Sequence, residues 1–404
     1  MIVLSGAALV LPDRILSPGT LVIENGRIAE VRPDPPSAGS HEHFAFHDHY
    51  IVPGFIDVHV HGVDGVDSLD DRPGADSIAT IAAQLPRYGV TAFCPTTVAC
   101  APEALRRVLD QVRQAREHPS GRAARVLPAH LESNFINPEY CGAQPLVCLR
   151  APTEDARKDG DFTAVDILRE IERAAPDIAI VTIAPELDGG LELVRWLAAR
   201  IARVSLGHSG ATYDEALEAI GAGARHATHL FNRMPPLAHR APGLAGAVLQ
   251  TDEVAAEIIC DGVHVHPAMV RTAVAAKRPS RVFAITDGTA LSGMPVGARA
   301  QLGGRTITAG SSAAVLDDGT LAGSTVTMER AFQTLIGRIG LSLVDAVTLC
   351  ATTPARELGL VGHGVLAPEA VADLVVLDSM FSVVQTYVGG QLVYTRNASP
   401  NPER

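Results

Sequence analysis

The chain opens with short alternating runs. "MIVLSGAALV" (1–10) reads as a strand that breaks at Pro12. In "GTLVIENGRIAEV" (19–31), two apolar runs flank Asn25-Gly26. That dipeptide marks a tight hairpin, because both of its residues tolerate positive φ. A Pro/Ser-rich stretch, 33–49, leads into a further short strand. From Phe55 the pattern changes, and short β-rich runs alternate with longer stretches of helical spacing. Strand candidates are 55–60, 89–94, 125–131, 178–183, 203–207, 224–228, 254–260 and 281–286. Helical candidates between them include 76–88, 101–117, 163–174, 190–201, 212–222 and 266–276. Eight successive strand–helix units predict an α/β fold, a (β/α)8 TIM-like barrel. A doubly wound open sheet is the competing fold, but its GxGxxG turn is missing. After 287 come a Gly-rich stretch (303–323), two helices over about 325–351 and an alternating tail, "ADLVVLDSMFSVVQTYVGGQLVY" (372–394). The economical assembly pairs the two β-rich ends in one small domain: 1–53 with 355–404, beside a barrel of 54–354.

Composition narrows the partners. The 404 residues are 47% hydrophobic and 19% charged, with 33 basic against 45 acidic side chains and a net charge of −12. That balance argues against nucleic acid or an anionic membrane as partner, though not against a local basic pocket for a small anion. None of the six cysteines forms a CxxC pair, which suits reduced thiols in a cytoplasmic enzyme. The N-terminus lacks a basic segment before its apolar run, and no apolar run reaches the roughly 20 residues that span a bilayer.

The chemistry lies at the strand ends. "PGFIDVHVHG" (53–62) ends the first barrel strand, and strict alternation puts Asp57, His59 and His61 on one face with the aliphatic residues on the other. The third strand ends at Glu132, the fifth leads to His208, the sixth to His229 and the eighth to Asp287. Strand C-termini ring one mouth of a barrel, where active sites sit. Four imidazoles and two carboxylates converging there suit Zn, with Fe, Mn, Co or Ni as alternatives, in one or two ions. By the same alternation His226 faces away from His229, and Asp57, one layer deeper, orients a ligand histidine. "HEHFAFHDH" (41–49) precedes the barrel and reads as a solvated loop.

These motifs, together with "HLES.FINPEYCGA", "GHSGATYDEA", "THLFN.M", "DGVHV", "ITDG" and "LAGSTVTM", resemble the N-acetylglucosamine-6-phosphate deacetylases of the amidohydrolase superfamily. The resemblance runs in order along nearly the whole chain. It implies a distorted TIM barrel with a small β-sandwich built from both chain ends. It also implies a metal on Glu132, His208 and His229, a second metal position at His59 and His61, and Asp287 as the catalytic carboxylate. Asn232 and His264 would hold the sugar phosphate, Ala143 and Gly323 would line the substrate pocket, and Arg240 would reach into the neighbouring site of a homodimer. Three departures stand out. Ser133-Asn134 replaces Gly-Pro, Gln144 replaces a histidine and Arg233 replaces alanine, all expected near the substrate pocket and outside the metal set. Arg233 either adds or replaces an anion contact, or points to solvent.

The chemistry expected is amide hydrolysis. A bound divalent ion lowers the pKa of water to about 7 and polarises a carbonyl. Asp287 would take the proton of the attacking water and pass it to the departing amine. The substrate would be a phosphorylated N-acetyl amino sugar, most simply N-acetylglucosamine-6-phosphate. A deacylase of another hexosamine, an unphosphorylated sugar or an N-acyl amino acid is the alternative, and a non-catalytic sugar-phosphate sensor a third.

Overall fold

The computed structural model describes residues 1–33, 42–72, 74–153, 162–201 and 203–396. His41 of the histidine tract lies outside the described residues. Eight parallel strands form the barrel: β1 (Phe55–Val60), β2 (Val90–Thr97), β3 (Ala129–Glu132), β4 (Ile178–Ile183), β5 (Arg203–Leu206), β6 (His226–Ala227), β7 (Ala255–Ile259) and β8 (Val282–Ile285). They pair in chain order from β1 to β8. The ring closes where the Asp287 amide donates to the His59 carbonyl at 2.9 Å and the His61 amide to the Gly288 carbonyl at 2.7 Å. The expected strand 125–131 is split: Arg125–Val126 pairs with β2 and β3 begins only at Ala129. Pro128 stands between the two pieces and has no amide to give a ladder.

The outer helices follow hydrophobic spacing. Pro102–Glu117 buries Leu105, Val108, Leu109 and Val112, one stripe of a 3.6-residue repeat. Tyr213–Ala222 starts on a reciprocal Thr212/Glu215 cap. Gly243–Gln250 is a helix that the pattern did not reveal, because "GLAGAVLQ" is buried on every side and has no polar face. Ile56, Val58, Ala92, Ile180, Ala255 and Phe283 fill the barrel interior. Phe55, Val60, Phe93, Val181 and Ala256 pack outward against the helices.

Both chain ends meet in one eight-stranded sheet. Tyr50–Pro53 pairs antiparallel with Leu374–Leu377 and joins them. The hairpin turn falls on Asn25 (φ 49°) and Gly26 (φ 77°), as the dipeptide predicts. The Gly-rich stretch belongs to a further sheet. Arg299–Leu302, Arg305–Ala309, Ala313–Leu316 and Leu321–Ser324 run antiparallel, with Gly303-Gly304 as the first turn. The two helices expected over about 325–351 are present as 328–339 and 343–357, each α-helical with a π turn, Leu335–Ile339 in the first and Thr348–Thr352 in the second. No described helix is long and apolar enough to cross a membrane.

Asp373 joins the tail to the barrel. Its carboxylate accepts from Arg125 Nε and Nη2 at 3.1 Å, His363 Nδ1 at 2.9 Å and the Gly389 amide at 2.6 Å. Its carbonyl accepts from the Gly54 amide, one residue before β1. Burial raises the Asp373 pKa, but the hydrogen bonds from His363 and Arg125 outweigh it and hold the carboxyl below the usual range. A depressed native pKa gives stability that is present above the unfolded-state value near 3.9 and lost on acidification through the folded one. Asp373→Ala is expected to cost about 2–3 kcal/mol at neutral pH, measured by urea unfolding. The gap from wild type should narrow as pH falls below 4, and an unchanged midpoint at pH 7 contradicts the role.

Candidate metal centre

Four side chains reach the mouth from strand ends. Glu132 is the last residue of β3, and His208, His229 and Asp287 each lie two residues beyond β5, β6 and β8. The last three adopt left-handed backbone, with φ of 48°, 29° and 47°. Non-glycine residues there cost about 1–3 kcal/mol each, and such strain persists where surrounding bonds enforce it. Here the His208 carbonyl accepts from Asn137, that of His229 from Asn232 and that of Asp287 from Ser324.

The side chains converge closely. Glu132 Oε1 lies 2.7 Å from His208 Nε2 and 2.9 Å from His229 Nε2, and the two nitrogens are 3.0 Å apart. His59 Nε2 and His61 Nε2 are 3.3 Å apart and lie 3.4 and 3.3 Å from Asp287 Oδ1. His61 Nε2 is also 3.5 Å from Glu132 Oε2. All six side chains are buried. Glu132, His208 and His229, and separately His59, His61 and Asp287, therefore form groups able to hold a metal ion.

The electrostatics show a demand for positive charge. Burial disfavours a charged His59, but the carboxylates of Glu257 and Asp287 outweigh it and raise its pKa to about 9. His61 is raised against its burial to about 10 by Asp287 and Glu132. Burial pushes Glu132 and Asp287 up, yet the imidazoles hold both below the usual carboxylate range.

The layer beneath differs from the alternation reading. The β1–β2 register shifts between Asp57 and Val60, so Val58 packs inside the barrel and His59 also turns inward. Asp57 points elsewhere: its carboxylate accepts from Thr286 Oγ1 at 2.6 Å and from the His59 amide at 3.3 Å. Burial raises its pKa to about 6 despite those bonds. It ties β1 to β8 and touches no ligand imidazole. The carboxylate that meets His59 from beneath is that of Glu257 of β7, which sequence reasoning missed. It accepts from His59 Nδ1 and His226 Nε2, both at 2.8 Å, and from the His229 amide at 3.2 Å. His226 therefore faces the same interior as His229, because the chain leaves extended conformation after Ala227. His130, also missed, donates from Nδ1 to the Val58 carbonyl and accepts at Nε2 from Thr182. Burial drives its pKa down to about 3.

A cleft of about 510 Å³ opens above these groups. His61, Glu132, His208, His229 and Asp287 line its floor, and Ala143, Asn232, Arg233, His264 and Gly323 line its wall. Arg240 is exposed and outside the cleft. The departures sort differently from expectation. Ser133 Oγ bonds the Thr182 carbonyl, and Asn134 Nδ2 bonds the carbonyls of Cys100 and Cys148, so both are buried loop supports and neither lines the cleft. Gln144 touches the candidate metal set: its Oε1 accepts from the Ala99 amide at 2.8 Å, which turns Nε2 onto Glu132 Oε2.

The amidohydrolase family pattern matches residues 50–393. An N-acetylglucosamine-6-phosphate deacetylase of Homo sapiens is 36% identical over 96% of this chain and 91% of its own length. An N-acetylgalactosamine-6-phosphate deacetylase of Escherichia coli O157:H7 is 33% identical over 92% and 94%. The structure of an aspartate-to-alanine mutant of the Mycobacterium smegmatis N-acetyl-D-glucosamine-6-phosphate deacetylase, in complex with N-acetyl-D-glucosamine-6-phosphate, superposes with a TM-score of 0.86 at 33% identity, covering 98% of this chain and 99% of that one. The chain belongs to the amidohydrolase family, in its N-acetylglucosamine-6-phosphate deacetylase branch.

Proposed function

We propose that this enzyme hydrolyses the acetamide of N-acetylglucosamine-6-phosphate, giving glucosamine-6-phosphate and acetate. The observation that carries the reading is the convergence of Glu132, His208 and His229 within 3.0 Å beside the Asp287 carboxylate. Two imidazole nitrogens that close cannot each direct a proton at the other. His208 Nδ1 donates to the Tyr140 carbonyl at 2.8 Å, which leaves Nε2, 2.7 Å from Glu132 Oε1, as the ring atom a cation shared with Glu132 would meet. This donor set fits a divalent cation, Zn2+ by its nitrogen and oxygen ligands, held by Glu132, His208 and His229, with His59 and His61 as a second position. Such an ion supplies Lewis acidity to an amide carbonyl and acidifies water. The rest is done by the protein. Asp287, held ionised, accepts the proton of the attacking water at Oδ1 and returns it to the amine nitrogen as the C–N bond breaks. Glu257 fixes the ring of His59 from below. Gln144 restrains Glu132 so that Oε1 faces the two histidines.

The cleft volume suits a sugar phosphate. Asn232 and His264 face the sugar, with Ala143 and Gly323 against it. The N-acetylgalactosamine-6-phosphate relative at 33% identity supports a second reading, the C4 epimer as substrate. A cytoplasmic homodimer, with exposed Arg240 approaching the neighbouring copy, completes the proposal.

Four assays test it. Amine release from N-acetylglucosamine-6-phosphate, from the galactosamine epimer and from both unphosphorylated sugars should be fastest for the first, and no release from a metal-loaded sample would overturn the reading. Asp287→Asn should retain metal and lower kcat by about 10²–10⁴-fold, and turnover near wild type rules it out as the base. Glu132→Ala should lose metal by elemental analysis along with activity. Gln144→Leu should weaken metal affinity by about 10–100-fold in a chelator competition, and an unaltered affinity shows that the amide does not restrain Glu132.

A further inference from the structure

The barrel interior holds a carboxylate beneath the reacting groups. Glu257 stands in the middle of β7, fully buried, and does not line the cleft. A carboxylate in an apolar strand costs free energy unless it is paired. Here its two oxygens are divided between two sides. Oε1 lies 2.8 Å from His226 Nε2 and 3.6 Å from His130 Nδ1. Oε2 accepts from His59 Nδ1 at 2.8 Å and from the His229 amide at 3.2 Å. One oxygen atom therefore joins the two candidate metal positions. It reaches the first, at Glu132, His208 and His229, through backbone, and the second, at His59 and His61, through a ring.

The two positions differ in what supports them. The Nδ1 atoms of His61 and His229 are buried without a hydrogen-bond partner among the described residues. Each position thus has one histidine whose ring is fixed from behind. At the first it is His208, held by the neutral Tyr140 carbonyl, and Gln144 holds Glu132 as well. At the second it is His59, held by the Glu257 carboxylate. With Nδ1 donating to Glu257, Nε2 is the ring atom left for a cation. A carboxylate behind the ring also strengthens the imidazole as a metal donor. The second position has no other such support, so its hold on an ion depends on the charge of Glu257.

We propose that Glu257 is the positioning residue that lets the His59–His61 position hold an ion, so that the barrel interior, and not the two histidines alone, sets whether one or two ions are bound. Ion binding there rests on the metal reading above, while the identity of the substrate does not enter.

The test is a zinc-binding isotherm of the full chain. The protein is stripped of metal and equilibrated in buffers of fixed free zinc, and the bound zinc is counted by elemental analysis. Wild type should take two ions in separate steps. Glu257→Gln keeps the shape: its amide oxygen serves His59 and the His229 amide, its NH2 serves His226, and only the charge is lost. Its second step should move to about 10-fold higher free zinc. Glu257→Leu removes the bonds as well, and its second step should move by about 100-fold. The first step should move less than the second in both variants. An unchanged second step in Glu257→Gln overturns the proposal. So does an equal shift of both steps, the result of a merely structural role, and so does a wild type that stops at one ion in excess zinc. A chain that shows the expected shifts, yet releases no amine from any sugar, upholds Glu257 and removes the deacetylase reading. A deacetylase whose wild-type and Glu257→Gln isotherms coincide does the reverse.

Discussion

The site depends on a charge balance in a buried place. Glu132, Asp287 and Glu257 are carboxylates with little or no access to water. Ionised carboxylates survive burial only when paired and hydrogen-bonded. Their partners are imidazoles: His208, His229 and His61 around Glu132, His59 and His61 beside Asp287, and His59 and His226 on Glu257. The network explains why so many histidines occupy one barrel, and why removing any one carboxylate leaves several groups without partners. A divalent cation at Glu132 would meet the same demand for positive charge, with the imidazole lone pairs as its ligands.

Fold and site are coupled through the closing edge of the barrel. The amides of Asp287 and His61 complete the β1–β8 seam, and Asp57 fastens the same seam through Thr286. The residue proposed as proton acceptor and the residues proposed to hold metal are therefore set by backbone pairing, not by loop conformation alone. The left-handed backbone at His208, His229 and Asp287 turns each side chain back over the mouth directly after its strand. A chain continuing as extended strand would alternate past the site.

Much of this was legible from residue pattern. Alternating strand and helix periods located the barrel, and polar residues at strand ends located its mouth, since little else places charge at the end of an apolar run. Other features were missed. Period-2 reasoning assumes an unbroken ladder, so the register shift after Asp57 sent His59 inward and gave the orienting role to Glu257. Glu257 itself had a signal, a single carboxylate inside "VAAEIIC" that must find a partner once buried, and His130 had the same one in "LPAHL". The sheet over 299–324 was also signalled, by Gly303-Gly304 between short alternating runs. The Gly243–Gln250 helix had none, because a helix buried all round has no amphipathic stripe. The departures from the family pattern were visible, but whether Gln144 met the carboxylate or the sugar needed coordinates.

The most direct test of the central claim is anomalous diffraction from crystals of the purified enzyme, recorded on both sides of the zinc edge. The account predicts an ion bound by Glu132, His208 and His229, with Asp287 at its side and Gln144 still on Glu132. Crystals of metal-replete enzyme with no anomalous peak at those three residues, or with the ion bound elsewhere, would contradict it.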